Sequence, residues 1–571
     1  MTNLLYRLAR QGEISWLSYY FAEFIATQSD MDMDELVCQS AALVSEANRA
    51  GDVCIDLDNR AGQPLFSSSL IDADLIPVAP GREDWQAELE QNPCVGEHSP
   101  LTLEGGRLYL NRYWHYEAAI AAWIRARAQQ DDSAEPDASP PRGSGDPDQD
   151  AAVSMAARRK FCVISGGPGS GKTSTVLRIL ALLLERDPRM RIALTAPTGR
   201  AAALMLDSIR QGLASPDMDC SLAGLIPRDA STIHRLLGYR RHGFEHHRNN
   251  PLAKDCIVVD EASMVDLKLA YHLLDALPDH ARLILLGDRD QLASVAAGYV
   301  LGDITGHGLD LGASKAPLAG SIALLRRSYR FDEDSAIGEL ASLVNQGNRD
   351  GVLTLLRSGR RGLRWFEDET ETIDAAALAS LLDTYRAIFT CATPADALDV
   401  FTSTRLLCVT NLGPLGVDAL NRHISEKLQP GSHPTAAFYH GLPIMILRNQ
   451  HELKLFNGDT GILWQQGDRL KACFPDNEGG IRSLALNRLP EFVPAWASTV
   501  HKSQGSEFDS VTLILPADAE SRVLSRELLY TAITRARRKF ILHGSSAAVE
   551  NATGNLTRRH SGLAEKLGWP P

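Results

Sequence analysis

The chain has 571 residues, 44% of them hydrophobic and 23% charged, and a formal net charge of -13. Such a chain builds about three or four soluble globular domains, which excludes a disordered or fibrous protein. The acidic balance argues against a surface coated throughout with phosphate-binding cations, although a local basic track remains compatible with it.

No uncharged apolar stretch reaches the roughly 20 residues that cross a bilayer. MTNLLYRLARQGEISW lacks the apolar core of a signal peptide. Nine dispersed cysteines without a Cys-x-x-Cys pair predict reduced thiols and a cytoplasmic protein.

In chain order, residues 1–128 mix helical patterns (WLSYYFAEFIA, DELVCQSAALVSEAN) with a short strand around Val53–Leu57, and end in a helix from Tyr113 to Arg127. They hold no catalytic constellation. Residues 129–148 lie in QQDDSAEPDASPPRGSGDPDQD, whose Asp, Pro, Gly and Ser bury too little to order the chain, so a linker is expected. Over 149–323 the apolar runs FCVIS, RIALTAP, CIVVDEA and RLILLGD alternate with helical patterns, which predicts a parallel sheet covered on both faces. A second such unit is expected over 324–571, with LLCVT and VTLILP as strands. Short strands broken by Gly, Asn and Asp interrupt it at about 437–490, a small β-rich insertion. The fold class is α/β: two parallel-sheet lobes behind a mainly helical N-terminal domain.

FCVISGGPGSGKTST joins an apolar strand to a helical pattern through Gly166, Gly167, Pro168, Gly169, Ser170, Gly171, Lys172, Thr173 and Ser174. Glycines let successive backbone N–H groups curl around phosphate oxygens, and the helix start adds positive potential. Lys172 can reach the β- and γ-phosphates of ATP, and the Thr173 hydroxyl can take a Mg²⁺ position. IVVDEAS ends a buried strand in Asp260 and Glu261. By itself such a pair is as readily a helix cap; behind a P-loop, Asp260 suits Mg²⁺ and Glu261 suits the attacking water. Both motifs together define a P-loop nucleotide hydrolase and no more, because a small-molecule kinase or a GTPase carries the same pair.

The rest of the chain decides. RLILLGDRDQLASV places Gln291 just past a strand, where its amide can link a γ-phosphate to a nearby loop. LLRRSYRF offers Arg330 and ELLYTAITRARRKF offers Arg535, two cations that could stabilise phosphoryl transfer, although surface charge is the ordinary fate of arginine. In order, GGPGSGKT, LTAPTGRAAA, STIHRLLG, VVDEASM, GDRDQLASV, SYRF, STVHKSQGSEF and YTAITRARR resemble the motif series of superfamily 1 helicases. The resemblance implies two RecA-like lobes with ATP in the cleft. Lys172, Glu261, Gln291, Arg330 and Arg535 would be catalytic, Gln149 would read adenine, and Glu507 would contact the ribose or support the pocket. Pro197, Thr198, Arg200, Thr232, His234, Thr499, His501 and Lys502 would line the track of single-stranded DNA, although the two in STIHRLLG suit helix caps equally well.

NPLAKDCIVVDEASMVDL and GDRDQLASV resemble the RecD branch more than the Rep and UvrD-like branch, whose large helical insertions have no room here. That branch implies 5′→3′ movement, an SH3-like fold for the β insertion, and a short hairpin at 238–252 with Phe244 as a wedge near its tip. His242, His246 and His247 in the hairpin lack partners at ligand spacing beyond Glu245, which speaks against zinc. GDVCIDL and LYLNRYWHYEAAIA resemble the domain by which RecD subunits dock on RecC. The implied partners are therefore single-stranded and duplex DNA with RecB-like and RecC-like subunits, in double-strand break repair. No D…ExK set follows a strand, so the nuclease is expected in the RecB-like partner. Two rivals remain: a stand-alone RecD-like helicase, and a regulatory DNA-dependent ATPase that does not move.

Overall fold

The computed structural model describes the chain apart from residues 1–2, 69, 129–144, 214–223, 241–242, 307–317, 332–334, 371, 430–437, 477–479, 522, 558 and 571. Most of the expected linker therefore lies outside the described residues, as do His242 and residue 437.

Six strands form one parallel sheet, in the order Ile322–Leu325, Phe161–Gly166, Arg282–Gly287, Cys256–Val259, Ile192–Ala196, Ser231–Thr232. The four inner strands are apolar along most of their length because both faces are buried, whereas the edge strand Ser231–Thr232 is polar and half-buried. Phe161 and Val163 enter one core while Cys162 and Ile164 enter another. Strand Ile322–Leu325 pairs with the P-loop strand, so the boundary expected at 323/324 falls inside a strand of the first lobe. Four residues are too few to show a period.

The second lobe repeats the plan with Leu363–Glu367, Ala536–Gly544, Phe508–Ile514, Thr404–Cys408 and Ala497–Thr499, again all parallel. Strand Ala536–Gly544 escapes a sequence reading because Arg537, Arg538 and Lys539 at its start are exposed. The insertion is a five-stranded antiparallel sheet reaching from Pro443 to Pro494. Its Ile444 and Ile446 share a core with Leu406 and Cys408 of the lobe.

The N-terminal domain has its own core, built on Leu5, Leu8, Val37 and Trp85, around a three-stranded antiparallel sheet. From it runs helix Asn111–Ala128, which lays Ile120 and Ile124 on the first lobe. The end of the chain joins that contact through Leu563, Leu567 and Trp569. Buried Glu117 accepts the Ser561 hydroxyl (2.7 Å), the Gly562 N–H (3.0 Å) and Lys566 Nζ (3.2 Å). The last residues thus tie the second lobe's exit back onto the first lobe and the N-terminal domain.

Helix Pro147–Arg158 begins within the stretch read as linker up to 148. Asp146 caps it, accepting the N–H groups of Asp148 and Gln149, and proline occupies the first turn. Among the described residues, no helix is long and apolar enough to cross a membrane.

Candidate nucleotide site and strand track

Strand Phe161–Gly166 hands the chain to helix Lys172–Arg186 through a loop that only glycine fits at two points. Gly169 (φ 77°) and Gly171 (φ 82°) lie in the left-handed region. A Cβ at Gly169 would collide with Arg330, and one at Gly171 with the Gln149 amide. The neighbours that forbid a side chain are therefore themselves expected site residues. Gln149 is buried, and its Nε2 donates to the Ser170 carbonyl at 3.3 Å. Lys172 Nζ folds back on the carbonyls of Gly166 (2.5 Å) and Gly167 (3.2 Å). Pro168 accepts the Ser328 hydroxyl (3.1 Å), and the Ser174 hydroxyl donates to Gly171 (2.8 Å). Ser170 Oγ is buried without a hydrogen-bond partner, and Thr173 stands in the first helical turn.

At the end of strand Cys256–Val259, burial and then the Glu261 carboxylate push the Asp260 carboxyl up to about 6, against the pull of Lys172. Glu261 itself has φ 52°. A left-handed non-glycine residue costs on the order of 1–2 kcal/mol, and such strain concentrates at functional sites. Gln291 is buried, with Nε2 donating to Asp288 Oδ2 (3.1 Å) and Oε1 lacking a partner.

From the other side, Arg330 forms an ion pair with Glu507, which also accepts Arg537 Nε at 3.1 Å. Glu507 is thus an arginine anchor as well as a candidate pocket residue. The preceding Tyr329 N–H donates to the Gly169 carbonyl (2.8 Å), seating Arg330 against the P-loop. Burial, with Arg535 and Arg537 nearby, depresses the Arg330 pKa in spite of Glu507. Its Nη1 is buried and unpartnered. Arg535 is buried too, donating to the Thr531 (3.2 Å) and Ser506 (3.1 Å) carbonyls. The structure therefore gathers residues from helix Pro147–Arg158, the P-loop, Asp260, Glu261, Gln291, Arg330, Glu507 and Arg535 around one interlobe cleft. Asp288 and Tyr530, passed over in the sequence, also meet there, the Tyr530 hydroxyl donating at 3.0 Å.

The expected strand contacts divide. Thr198, beside Pro197, accepts the Ala201 N–H (3.2 Å), Thr232 accepts that of Arg235 (3.2 Å), and Thr499 accepts that of Lys502 (3.3 Å). Each threonine therefore caps a turn. Arg200 faces Asp459 of the insertion, and the Phe456 ring lies beside Gly199, so the insertion roofs this part of the first lobe. Burial lowers the pKa of both His234 and His501, and Arg559 adds to it at His501. Lys502 is exposed.

Phe244 is not an exposed wedge. It is half-buried, its ring 4.8 Å from that of His272, because residues 243–244 turn toward helix Leu267–Asp275. Its strand partner Tyr239 is 65% exposed and stands 5.7 Å from the His234 ring. Among the described residues, no group of three or more His, Cys, Asp or Glu side chains forms a metal site. His246 Nδ1 lies 3.1 Å from the Asn250 carbonyl, and His247 Nδ1 accepts the Asn249 N–H at 3.2 Å.

Residues 10–109 match the family model of the RecBCD enzyme subunit RecD N-terminal domain, 149–297 that of an AAA domain, and 494–543 that of a UvrD-like helicase C-terminal domain. The RecBCD enzyme subunit RecD of Mycolicibacterium smegmatis is 38% identical, over 94% of each chain. The chain belongs to the RecD family. A second relative of this RecD-family chain, the ATP-dependent RecD2 DNA helicase of Deinococcus radiodurans, is 30% identical over 84% of the chain but 61% of its own length. Bacteroides Pif1 bound to ssDNA overlays with a TM-score of 0.39 at 17% identity, covering 69% of the RecD-family chain and 91% of Pif1.

Proposed function

We propose that this chain is an ATP-dependent DNA helicase subunit of a RecBCD-type enzyme, moving 5′→3′ on single-stranded DNA to process double-strand breaks in the cytoplasm. The observation that carries this reading is the interlobe contact in which Gly169 of the P-loop meets Arg330, itself paired with Glu507 of the second lobe, where Arg535 is anchored on the neighbouring Ser506. A nucleotide bridging two lobes favours their closed arrangement, and hydrolysis withdraws that bias. A strand gripped by both lobes is then advanced.

Gln149 would meet adenine, the loop Gly166–Gly171 the phosphates, and Lys172 the β- and γ-phosphates. Thr173 and Asp260 fit Mg²⁺: one is a hydroxyl at a helix start, the other a carboxylate near Lys172 whose raised pKa marks charge that a cation would relieve. Mg²⁺ there would draw negative charge off the phosphates. Glu261 would orient the attacking water and take its proton, Gln291 would report the γ-phosphate to the Asp288 loop, and Arg330 and Arg535 would neutralise developing charge. Pro197, Thr198, Arg200, Thr232, His234, Thr499, His501 and Lys502 would hold phosphates without reading sequence.

Polarity follows from the resemblance to RecD-like motors. The subunit role is supported by the match over nearly the full length of a RecBCD subunit and over only part of the longer RecD2. Trp16, Leu17, Tyr20 and Phe24 expose one apolar face of helix Trp16–Ser29, which suits docking on a RecC-like subunit, with nuclease activity in a RecB-like one.

The test is strand displacement by the purified chain, with ATP and Mg²⁺, on duplexes tailed at the 5′ or the 3′ end, with Lys172→Gln as blank. Unwinding of the 5′-tailed duplex alone, lost in the blank, is the expected result. Hydrolysis without unwinding would favour the regulatory reading, and a 3′ preference would overturn the polarity. In the same assay Tyr239→Ala is expected to lower the base pairs opened per ATP about tenfold, the loss of one stacked base. An unchanged ratio would remove Tyr239 from the strand junction.

A further inference from the structure

Three hydrogen bonds from the second lobe converge on Asp288–Leu292, the segment that follows strand Arg282–Gly287 of the first lobe. The Tyr530 hydroxyl donates to Asp288 Oδ2 (3.0 Å), the Leu292 N–H donates to Thr531 Oγ1 (3.0 Å), and Gln504 Nε2 donates to the Leu292 carbonyl (3.2 Å). Asp288, Gln291, Thr531, Gln504 and Tyr530 are all buried. Asp288 Oδ2 is shared, since it also accepts Gln291 Nε2, while Oδ1 accepts the Asp290 N–H at 3.1 Å. The Asn345 side chain reaches the Tyr530 hydroxyl from within the second lobe and helps aim it. A Cβ added at Gly167 of the P-loop would lie 2.9 Å from that hydroxyl.

We infer that Tyr530 is a positioning residue: through its bond to Asp288 it aligns Gln291 and couples closure of the lobes to ATP hydrolysis. The geometry requires this of no other described tyrosine, because the hydroxyl lies at once on the P-loop and on the carboxylate that holds Gln291. Burial first, and then the neighbouring Asp290, leave the Asp288 carboxyl raised despite Lys172, so its donors from Asp290, Gln291 and Tyr530 matter. Tyr530 sits one and five residues ahead of Thr531 and Arg535 on the same helical segment, Arg526–Thr534 and its cap. Release of its bond would therefore loosen the register of the segment that delivers Arg535.

The inference rests on the ATP-motor reading, and the experiment separates the two. ATP turnover by the full chain is measured with and without oligo(dT) for the parent, Tyr530→Phe, Asp288→Asn and the double variant. Each single change is expected to lower the DNA-stimulated kcat about tenfold while KM for ATP moves less than about twofold. The double variant should be no slower than the poorer single one. Parental kcat in Tyr530→Phe, a loss confined to KM, or losses that multiply in the double variant would each overturn the inference. A parent without DNA-stimulated turnover would instead defeat the motor reading. The rise in Tm on adding a non-hydrolysable ATP analogue with Mg²⁺ then decides: a smaller rise in Tyr530→Phe than in the parent supports the coupling, and an equal rise refutes it.

Discussion

Arg330→Ala is expected to slow DNA-stimulated ATP hydrolysis about a thousandfold, which corresponds to roughly 4 kcal/mol of transition-state stabilisation. The side chain is prepared for such a task. Glu507 holds one arm of the guanidinium, the backbone before it is bonded to Gly169 of the P-loop, and Nη1 is buried with no partner. Preorganised charge of this kind needs little rearrangement when charge develops on the phosphates. Lysine restores the charge but not the planar fork, so Arg330→Lys should recover only part of the rate. Single-turnover hydrolysis with saturating single-stranded DNA measures the step directly. A loss smaller than about tenfold would place the main charge stabilisation elsewhere, with Arg535 the next residue to replace.

Glu261→Gln should cost about 10²- to 10⁴-fold in turnover, the range for loss of a general base, while the affinity for a fluorescent ATP analogue is retained. The amide keeps the size of the side chain and leaves the left-handed backbone in place, so the charge alone is tested. It also removes one of the two neighbouring carboxylates, and the Asp260 pKa, pushed up to about 6, should fall as that repulsion goes. The variant should therefore hold nucleotide with Mg²⁺ at least as well as the parent and accumulate in the closed, strand-gripping state. Weakened nucleotide binding with turnover retained would show Glu261 to be structural.

The two predictions differ in how far their residues could be read from sequence. Glu261 follows a buried apolar strand at a fixed step from Asp260, and FCVISGGPGSGKTST announces strand, loop and helix in one contiguous run. Such motifs are local, and the physics that makes them is local as well: backbone N–H groups around phosphate, a carboxylate at a strand end. The apolar runs for most inner strands are equally plain, because burial on two faces leaves no polar interruption; Ala536–Gly544, with its exposed basic start, is the exception. Arg330 needed the whole ordered series of motifs before it stood out from surface charge.

Sequence by itself determined the fold class, the phosphate loop, the acidic pair and the family, since each is written in short stretches whose spacing carries the chemistry. Only the tertiary structure decided which side chains face one another over long separations. Tyr530 finds Asp288 across 242 residues, and Ser561 finds Glu117 across 444. Phe244 turns inward and Tyr239 outward because His272, on a separate helix, supplies the packing surface. Short edge strands such as Ile322–Leu325 are placed by the pairing partner rather than by their own pattern. Periodicity reports the average environment of a segment, whereas a contact between segments depends on how two independently formed elements are packed, and no local pattern encodes that choice.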